Sequence, residues 1–381
     1  MTELGFQSII GYITVSIMLL LISFLFTSNA KPRLPNLLFA TYLLLLAIDV
    51  SGFFSAGYLM VNFPNVDIFR WTLCLLSPPI LYYYFVTVAY IDFRFSVRHI
   101  LHVLPFLIMN GILLIRIYPE VGTEKVYFFN HHFQMLEMYF FQIIIEIQFI
   151  YYITKIFMVL KRYRTIYLEN YASTASLVYK WLSQLLAVVF ISHLLDVCRN
   201  LLRYTKYQNF LIWSDELVTV VALGMICWFL LKALSRPELF RGIDIKLIPA
   251  IEIETNLSSA SPFRGIEVDN EISAKIVLLE NYMTLQEPYL DPMLTIQDLA
   301  NQLNMPVLEL SLLINVYMDQ HFFGFIGEYR IRKVMELLKD PTKKHLTILE
   351  ILYQVGFNSK SSFNTSFKKY TSLTPTAYRN S

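Results

Sequence analysis

Seven long apolar runs before residue 235 constrain the fold of this chain more than any other feature. Each run is long enough, or nearly so, to cross about 30 Å of hydrocarbon as a helix. Hydrophobic residues make up 56% of the chain, against about 45–50% in soluble domains. Residues 1–234 are therefore predicted to be a transmembrane helix bundle of about seven spans. The spans lie near 5–26, 36–60, 68–90, 99–118, 138–160, 181–197 and 217–234.

Basic residues between the runs predict the orientation of the bundle. With an odd number of spans, a cytoplasmic C-terminus requires an external N-terminus. Eleven basic residues then lie in inner loops and six in outer loops, in line with the positive-inside rule. The inner ones are Lys31, Arg33, Arg94, Arg98, Lys161, Arg162, Arg164, Lys180, Lys232, Arg236 and Arg241, and the outer ones are Arg70, Arg116, Lys125, Arg199, Arg203 and Lys206. We therefore expect a multi-pass protein of the cytoplasmic membrane with its C-terminal part in the cytoplasm.

Four ionisable residues fall within or at the ends of the predicted spans: Asp49, Glu146, His193 and Asp196. Such groups are costly in a bilayer and are candidates for a sensing site. One interpretation is that they pair with each other or with Arg199 and so hold the bundle together. The other is a site for a proton or a ligand.

No metal or cofactor site is expected. The three cysteines, Cys74, Cys198 and Cys227, lie in apolar segments without a CxxC pair, so neither a disulfide nor a zinc site is predicted. His131 and His132 are adjacent but lack a third ligand of the kind that zinc requires.

A connector separates the apolar part from a second domain. Residues 235–271 contain Pro237, Pro249, Pro262 and a serine-rich run, which is typical of an irregular linker. From 272 to 381 the apolar residues recur at the helical spacing of a soluble domain. The fold class expected for the whole chain is therefore all-α.

One short pattern occurs twice in this second domain. Thr295 is followed by Asp298, and 52 positions later Thr347 is followed by Glu350. In this arrangement a hydroxyl caps the first amides of a helix, and the carboxylate three residues later accepts a hydrogen bond from the amide of the capping residue. Each pattern continues through a turn into a second helix, which predicts two helix-turn-helix motifs, a layout suited to reading DNA. The predicted ranges are 295–317 and 347–370, joined by a connecting helix over 322–338.

Several residues of these motifs are expected to be structural. Ala300 lies where the two helices of a motif approach closely, and Gly356 lies at a helix end where positive φ is common. Phe357 then covers the turn. Phe363, Phe367 and Tyr370 repeat at core spacing.

The core spacing leaves a polar face on the second helix of the second motif. Short polar side chains suit base edges, and lysines suit phosphates. The DNA-binding candidates of this motif are Ser359, Lys360, Ser362, Asn364, Thr365, Lys368 and Lys369. The equivalent candidates in the first motif are Glu309, Ser311 and Leu312.

Charge differs between the two motifs. Residues 271–328 hold one base and eight acids, whereas 329–381 hold ten bases and three acids. Because phosphate neutralisation supplies most non-specific affinity for DNA, the second motif is expected to provide most of the binding affinity.

The ordered pattern over about 272–381 resembles the signature of AraC/XylS-type transcription regulators. The residues that carry the resemblance are Tyr329, Arg330, Ile331, Val355, Gly356, Phe357, Ser361, Phe363, Phe367, Lys368, Lys369, Thr374, Pro375, Tyr378 and Arg379. The layout is similar to members of that family in which a multi-span sensor precedes the DNA-binding domain. The resemblance implies two readers docked into successive major grooves. Leu352 and Ser372 stand where the family usually has alanine and glycine, and Leu312 and Thr365 where arginine is common.

These observations favour a membrane-embedded, sequence-specific transcription regulator whose apolar domain senses a signal or tethers the reader. The alternative is a transporter or intramembrane enzyme with a DNA-binding appendage. The sequence has no HExxH, no GxSxG and no phosphate-cradling glycine loop, so an enzyme is not expected. The expected partners are double-stranded DNA, a lipid bilayer, RNA polymerase and a second copy of the chain.

Overall fold

The computed structural model describes residues 5–27, 33–90, 93, 95–120, 125, 127–129, 135–172, 177–202, 208–235 and 266–381. These residues are largely helical, and among them the β-type pairing is one isolated antiparallel bridge between Tyr171 and Thr295. The all-α fold class predicted from the sequence is confirmed. Most of the predicted connector, and the pair His131 and His132, lie outside the described residues.

Contacts divide the chain into two compact units. The N-terminal unit comprises Met1–Lys161 and Val178–Ile245, and the C-terminal unit comprises Arg162–Leu177 and Lys246–Ser381. The sequence placed Arg162–Leu177 with the apolar part of the chain. This segment belongs to the C-terminal unit because it contacts residues that are distant in sequence, and a local sequence pattern does not predict such contacts.

The N-terminal unit contains nine described α-helices. They are α1 Phe6–Thr27, α2 Leu34–Val50, α3 Gly52–Asn62, α4 Pro64–Thr72, α5 Ser77–Ala89, α6 Leu104–Arg116, the first part of α7 Leu136–Asn170, α8 Leu177–Leu202 and α9 Gln208–Ser235. Six helical stretches among the described residues are long and apolar enough to cross a membrane, or seven if the bent pair α2 and α3 is one span. The stretch Pro64–Ala89 joins α4 to α5 through a 3₁₀ turn.

An aromatic cluster is buried in the N-terminal unit. Phe39 on α2 is fully buried and contacts the rings of Tyr84, Trp181 and Phe229. The indole N–H of Trp181 donates to the Tyr84 hydroxyl at 2.8 Å. A buried indole or phenol needs such a partner, so this bond lets the two large rings pack in an apolar interior.

The second apolar run is broken at Ser51. The axes of α2 and α3 differ there by 64°. The Arg70 guanidinium donates to the main-chain oxygen of Asp49 at 3.0 Å and pairs with Asp67 at 2.9 Å. A Cβ on Gly52 would lie 2.5 Å from that guanidinium, so a side chain at this position would require the guanidinium to shift. Arg70 thus satisfies a carbonyl oxygen at the break.

The C-terminal unit contains seven further described helices. They are α10 Ile266–Gln286, α11 Ile296–Gln302, α12 Val307–Leu312, α13 Phe322–Lys339, α14 Ile348–Gln354, α15 Lys360–Thr371 and α16 Pro375–Asn380. The helix α12 continues into a single wider π turn, Leu313–Tyr317. The helix α10 begins at Ile266, six residues before the predicted start of this domain.

Two separate cores lie along the connecting helix α13. Phe322, Phe325 and Ile326 enter a core with α10, α11 and α12, which we call the first subdomain. Further along the same helix, Ile331 and Val334 enter a core with α14 and α15, the second subdomain. Each motif therefore has its own hydrophobic core, and α13 belongs to both.

Candidate nucleic-acid interface

Both helix-turn-helix motifs begin with the same reciprocal cap. The Thr295 hydroxyl accepts from the Asp298 amide at 3.1 Å, and the Asp298 carboxylate accepts from the Thr295 amide at 3.0 Å. Thr347 and Glu350 repeat this arrangement at 3.1 and 2.7 Å. These hydrogen bonds hold the pKa of the Glu350 carboxyl below its usual value, and the bond from the Thr347 amide has the largest effect.

The turns of the two motifs also correspond. In the first, Met305 N–H donates to the Ala300 carbonyl at 2.9 Å, and in the second, Phe357 N–H donates to the Leu352 carbonyl at 3.0 Å. Ala300 and Leu352 are both fully buried. The core of the second subdomain therefore accommodates Leu352, where the related family usually has alanine.

Gly356 makes the turn of the second motif. Its φ is +87°, a conformation that residues with a side chain rarely adopt. A Cβ at this position would lie 2.7 Å from the main-chain oxygens of both Tyr289 and Leu290. Glycine is thus required here for two reasons, the backbone conformation and the close approach of another segment.

The second helix of this motif, α15, has a buried face and an exposed polar face. Phe363 and Phe367 are fully buried in the second subdomain, beside Phe357. Tyr370 has the same spacing but is 45% exposed, with its hydroxyl 3.2 Å from Arg332 Nε. The prediction that Tyr370 is a core residue is therefore wrong, because at the end of α15 this side chain turns toward α13.

Most of the DNA-binding candidates on α15 lie on its exposed face. Asn364, Thr365, Lys368 and Lys369 are all exposed and line one shallow, open depression, and Lys360 is exposed as well. Ser359 and Ser362 are half-buried, and the Ser359 hydroxyl accepts from the Ser362 amide at 3.4 Å as the helix cap. The two serines thus serve the helix start, while the other five side chains lie outside the core.

The equivalent face of the first motif differs. Glu309 is paired with Lys275 on α10 at 2.5 Å. Ser311 is only 6% exposed, and its hydroxyl accepts from the Asn315 amide group at 3.1 Å. A hydroxyl buried in this way does not reach a groove, so the expectation that Ser311 contacts DNA is not met. Helix α12 packs against α11, and α10 contacts the π turn that follows it, Leu313–Tyr317.

Apolar residues occupy much of the remaining surface of the first motif. Leu312 is half-buried, whereas Leu308, Val316 and Tyr317 are exposed. In the second motif the corresponding surface carries three lysines, Lys360, Lys368 and Lys369. The two motifs therefore offer different chemistry to a negatively charged ligand.

Not all of the basic excess in 329–381 is available at the surface. Arg330 is 1% exposed. Lys333 pairs with Glu287 at 2.5 Å. The hydrogen bond of this pair is the main cause that raises the pKa of Lys333. Exposed positive charge is left mainly on α15, together with Lys339 and Lys344 near the start of the second motif.

Helix α15 ends on a residue in a left-handed conformation. Ser372 has φ +63° at the position where the related family usually has glycine. Two residues later the Thr374 hydroxyl caps α16 by accepting from the Ala377 amide at 3.2 Å, and Pro375 behind it is buried. The serine is accommodated here at the cost of backbone strain.

Ser372→Gly is expected to raise the free energy of unfolding of the C-terminal unit by about 0.5–1 kcal/mol, because glycine adopts this conformation without strain. Denaturant titration measures the change. The control is Ser366→Gly inside α15, which should lower stability by about 0.5 kcal/mol because glycine is a poorer helix former than serine. Equal losses in both variants would contradict strain at Ser372.

Three of the four ionisable candidates of the apolar part, Glu146, His193 and Asp196, form close pairs. Glu146 Oε2 lies 2.9 Å from His193 Nε2, and the His193 ring stacks on Phe149. Asp196 pairs with Arg199 at 3.2 Å. Asp49 contributes its main-chain oxygen to Arg70, as described above. This geometry matches the interpretation in which the charges hold the bundle together, and a role in proton or ligand sensing stays a prediction.

No group of three potential metal ligands occurs among the residues that the structure describes. Cys74, Cys198 and Cys227 are free thiols.

Comparison with known proteins gives a consistent result for the C-terminal part. Residues 299–381 match the model of a family described as "Helix-turn-helix domain". Over 55 residues, 14% of this chain, it is 38% identical to the "Uncharacterized HTH-type transcriptional regulator YdeC" of Bacillus subtilis (strain 168). It is also 38% identical over 55 residues to the "Probable transcription factor PqrA" of Proteus vulgaris. These matches span 18% and 45% of the two relatives, so the chain covers less than half of either.

No solved structure matches the chain. The family match and the two capped motifs together confirm the resemblance for the C-terminal part, which is a helix-turn-helix domain of the AraC type.

Proposed function

We propose that this protein is a membrane-embedded transcription regulator that binds specific DNA sequences through its C-terminal unit. The observation that carries the proposal is the exposed face of α15, on which lysines and short polar side chains surround one open depression. Among the described residues of the same chain, six helical stretches could cross a membrane, or seven if the bent pair α2 and α3 is one span. The relatives named as a transcriptional regulator and a transcription factor support the same interpretation of the helix-turn-helix part.

The side chains on α15 divide into two roles. Asn364 and Thr365 are short, exposed and adjacent, so they suit hydrogen bonds to base edges in a major groove. Lys360, Lys368 and Lys369 suit phosphates, where a point charge contributes affinity without base information. With α15 in the groove, the buried Phe363 and Phe367 fix the helix to its core.

The first motif has a supporting role in this proposal. Its second helix presents Leu308, Leu312 and Val316 together with Glu309, which is already paired with Lys275. Such a surface neutralises no phosphates. The first motif would lie along the DNA one helical turn away from the second. It would thereby fix the position of both motifs on the DNA, as expected for two DNA-binding motifs in one polypeptide.

The membrane assignment rests on length, composition and charge. The pairs Glu146–His193 and Asp196–Arg199 allow polar groups to lie within an apolar bundle, as intramembrane charges require. Hydrogen bonds between Ala172 and residues of the DNA-binding part support a common compartment for the end of the fifth span and the C-terminal unit. Both would be cytoplasmic, with the N-terminus outside. The apolar part would sense a signal or tether the reader, and RNA polymerase and a second copy of the chain are the further partners proposed.

Reporter fusions test the topology. A fusion after residue 120 is expected to report the outer compartment, and one after residue 165 the cytoplasm, because eleven basic residues then lie inside and six outside. Each site needs a matched pair of reporters, one active only outside and one only in the cytoplasm. The same compartment for both sites would contradict seven spans, and reversed compartments would contradict cytoplasmic DNA binding.

The function itself is tested in cells by crosslinking the full chain to DNA and sequencing the recovered fragments. We expect enrichment of a few promoters, and changed transcript levels of the same genes in a deletion strain. Enrichment of no promoter would contradict the proposal. A deletion strain with a transport or hydrolysis defect but unchanged transcripts would favour the transporter or enzyme with a DNA-binding appendage.

A further inference from the structure

A short segment from the apolar half of the sequence is built into the first subdomain. Residues 162–172, the last turns of α7 and the two residues after it, belong to the C-terminal unit. Ala172 at the end of this segment is 1% exposed and is part of the core that also contains Leu279, Met283 and Leu294. A side chain more than 100 positions away in sequence therefore completes the core of the first helix-turn-helix.

Main-chain hydrogen bonds fix the segment at the start of the first motif. The Ala172 amide donates to the Leu294 carbonyl at 3.2 Å, and Tyr171 forms an antiparallel bridge with Thr295. Thr295 is the cap of α11. Tyr171 and Ala172 are thus paired through the main chain with Thr295 and Leu294, at the start of the first motif.

The buried guanidinium of Arg330 joins the same site. It donates to three main-chain oxygens: Nη1 to Ala172 at 2.6 Å, Nε to Tyr289 at 2.7 Å and Nη2 to Asp291 at 2.7 Å. Burial lowers the pKa of Arg330 to about 10, so the group stays charged at neutral pH. If the segment left, Nη1 of a buried cation would have no partner, which is strongly unfavourable. The first subdomain is therefore incomplete without Ala172.

The helix that carries the segment is long. With 35 residues, Leu136–Asn170 extends for about 50 Å, whereas a bilayer core needs about 30 Å. The helix also carries Glu146, the partner of His193 in the apolar part. Near the end of this helix, the buried Glu169 carboxylate lies 4.0 Å from the His321 ring at the start of α13.

We propose that residues 162–172 are a docking element through which α7 controls the first helix-turn-helix. This inference rests on the proposed function, since the activity that α7 would control is DNA binding by the motif. A displacement of α7 along or around its axis reaches Leu294 and Thr295 directly, through the bonds of Ala172 and Tyr171. The signal then needs no rigid connector between Ser235 and Ile266.

A disulfide cross-link tests the docking in the full chain in membranes. Tyr171→Cys and Thr295→Cys are introduced after replacing the three native cysteines by alanine, with a protease site inserted within residues 246–260. Opposed residues of an antiparallel bridge have Cα atoms about 4.5–5.5 Å apart, within the range of a disulfide. After oxidation and cleavage the two fragments are expected to stay joined until reductant is added. The control pair, Tyr171→Cys with Tyr353→Cys on the exposed surface of the second subdomain, should give separate fragments.

Separation of the fragments of the first pair to the same extent as the control would overturn the docking. This experiment involves no DNA, so its failure and the failure of the DNA-binding proposal are distinguishable.

Hydrogen exchange of the full chain tests the control of the first motif. Ala172→Glu places a carboxylate in the core and should eject the segment, whereas Ala172→Gly keeps the main-chain bonds and serves as the matched control. In the glutamate variant, amides of α11 and α12 should exchange about tenfold faster, with those of α14 and α15 unchanged, because only the first subdomain loses its partner. Unchanged exchange in α11, or equal acceleration in both motifs, would overturn the proposal.

Discussion

Gly356→Val is expected to lower the free energy of unfolding of the C-terminal unit by about 3–5 kcal/mol and to abolish DNA binding. A β-branched residue at φ +87° is strained, and its Cβ would lie 2.7 Å from two main-chain oxygens, those of Tyr289 and Leu290. Because those atoms are backbone, the clash is not relieved by a side-chain rotation. Denaturant titration of the purified protein measures the stability, and a binding titration measures the decrease in affinity.

The control for this variant is Gly324→Val. Gly324 lies in α13, is exposed, and a Cβ there would meet nothing within 4 Å. Valine is a better helix former than glycine, so this change should be neutral or slightly stabilising. Similar destabilisation at Gly356 and Gly324 would show that the turn of the second motif does not require glycine.

The second large effect concerns affinity for DNA. Changing Lys360 and Lys368 together to alanine is expected to weaken binding roughly 50-fold at about 0.1 M salt, because each lysine on a phosphate contributes about five- to tenfold. The decrease should be nearly equal for all DNA sequences, and the salt dependence should fall by about one counterion per lysine. Binding titrations on a fixed panel of duplexes at several salt concentrations measure both quantities.

Asn364→Ala provides the contrasting case on the same helix. An amide that bonds a base edge contributes about 1–3 kcal/mol of discrimination, so this variant should change the order of preference within the panel. If Asn364→Ala weakens all duplexes equally, the assignment of base reading to the N-terminal half of α15 is wrong.

The parts of the interface that were predictable from sequence are those fixed by local chemistry. The caps at Thr295 and Thr347 depend on residues three positions apart, and Gly356 follows a helix end at the usual distance. The burial of Phe363 and Phe367 follows from a helical period. Each of these features can be recognised within one or two turns of chain.

The features that the sequence did not predict depend on distant partners. Helix α10 contacts the π turn that follows α12, and α2 breaks at Ser51, where Arg70 reaches a carbonyl of the preceding turn. Ala172 joins the first subdomain through Arg330, 158 positions along the chain. No periodic pattern links such residues, since the contacts exist only after the helices have packed.

The most direct test of DNA reading by the second motif uses the full chain in lipid nanodiscs and one promoter panel. The double change at Lys360 and Lys368 is compared with Glu309→Ala, which removes an acid paired with Lys275 in the first motif. We predict a large, sequence-independent decrease in affinity for the lysine variant. For Glu309→Ala we predict a small decrease or an increase in affinity, since a repulsive charge is removed. A larger decrease for the first-motif variant, or affinity that does not depend on salt, would contradict DNA reading by the second motif.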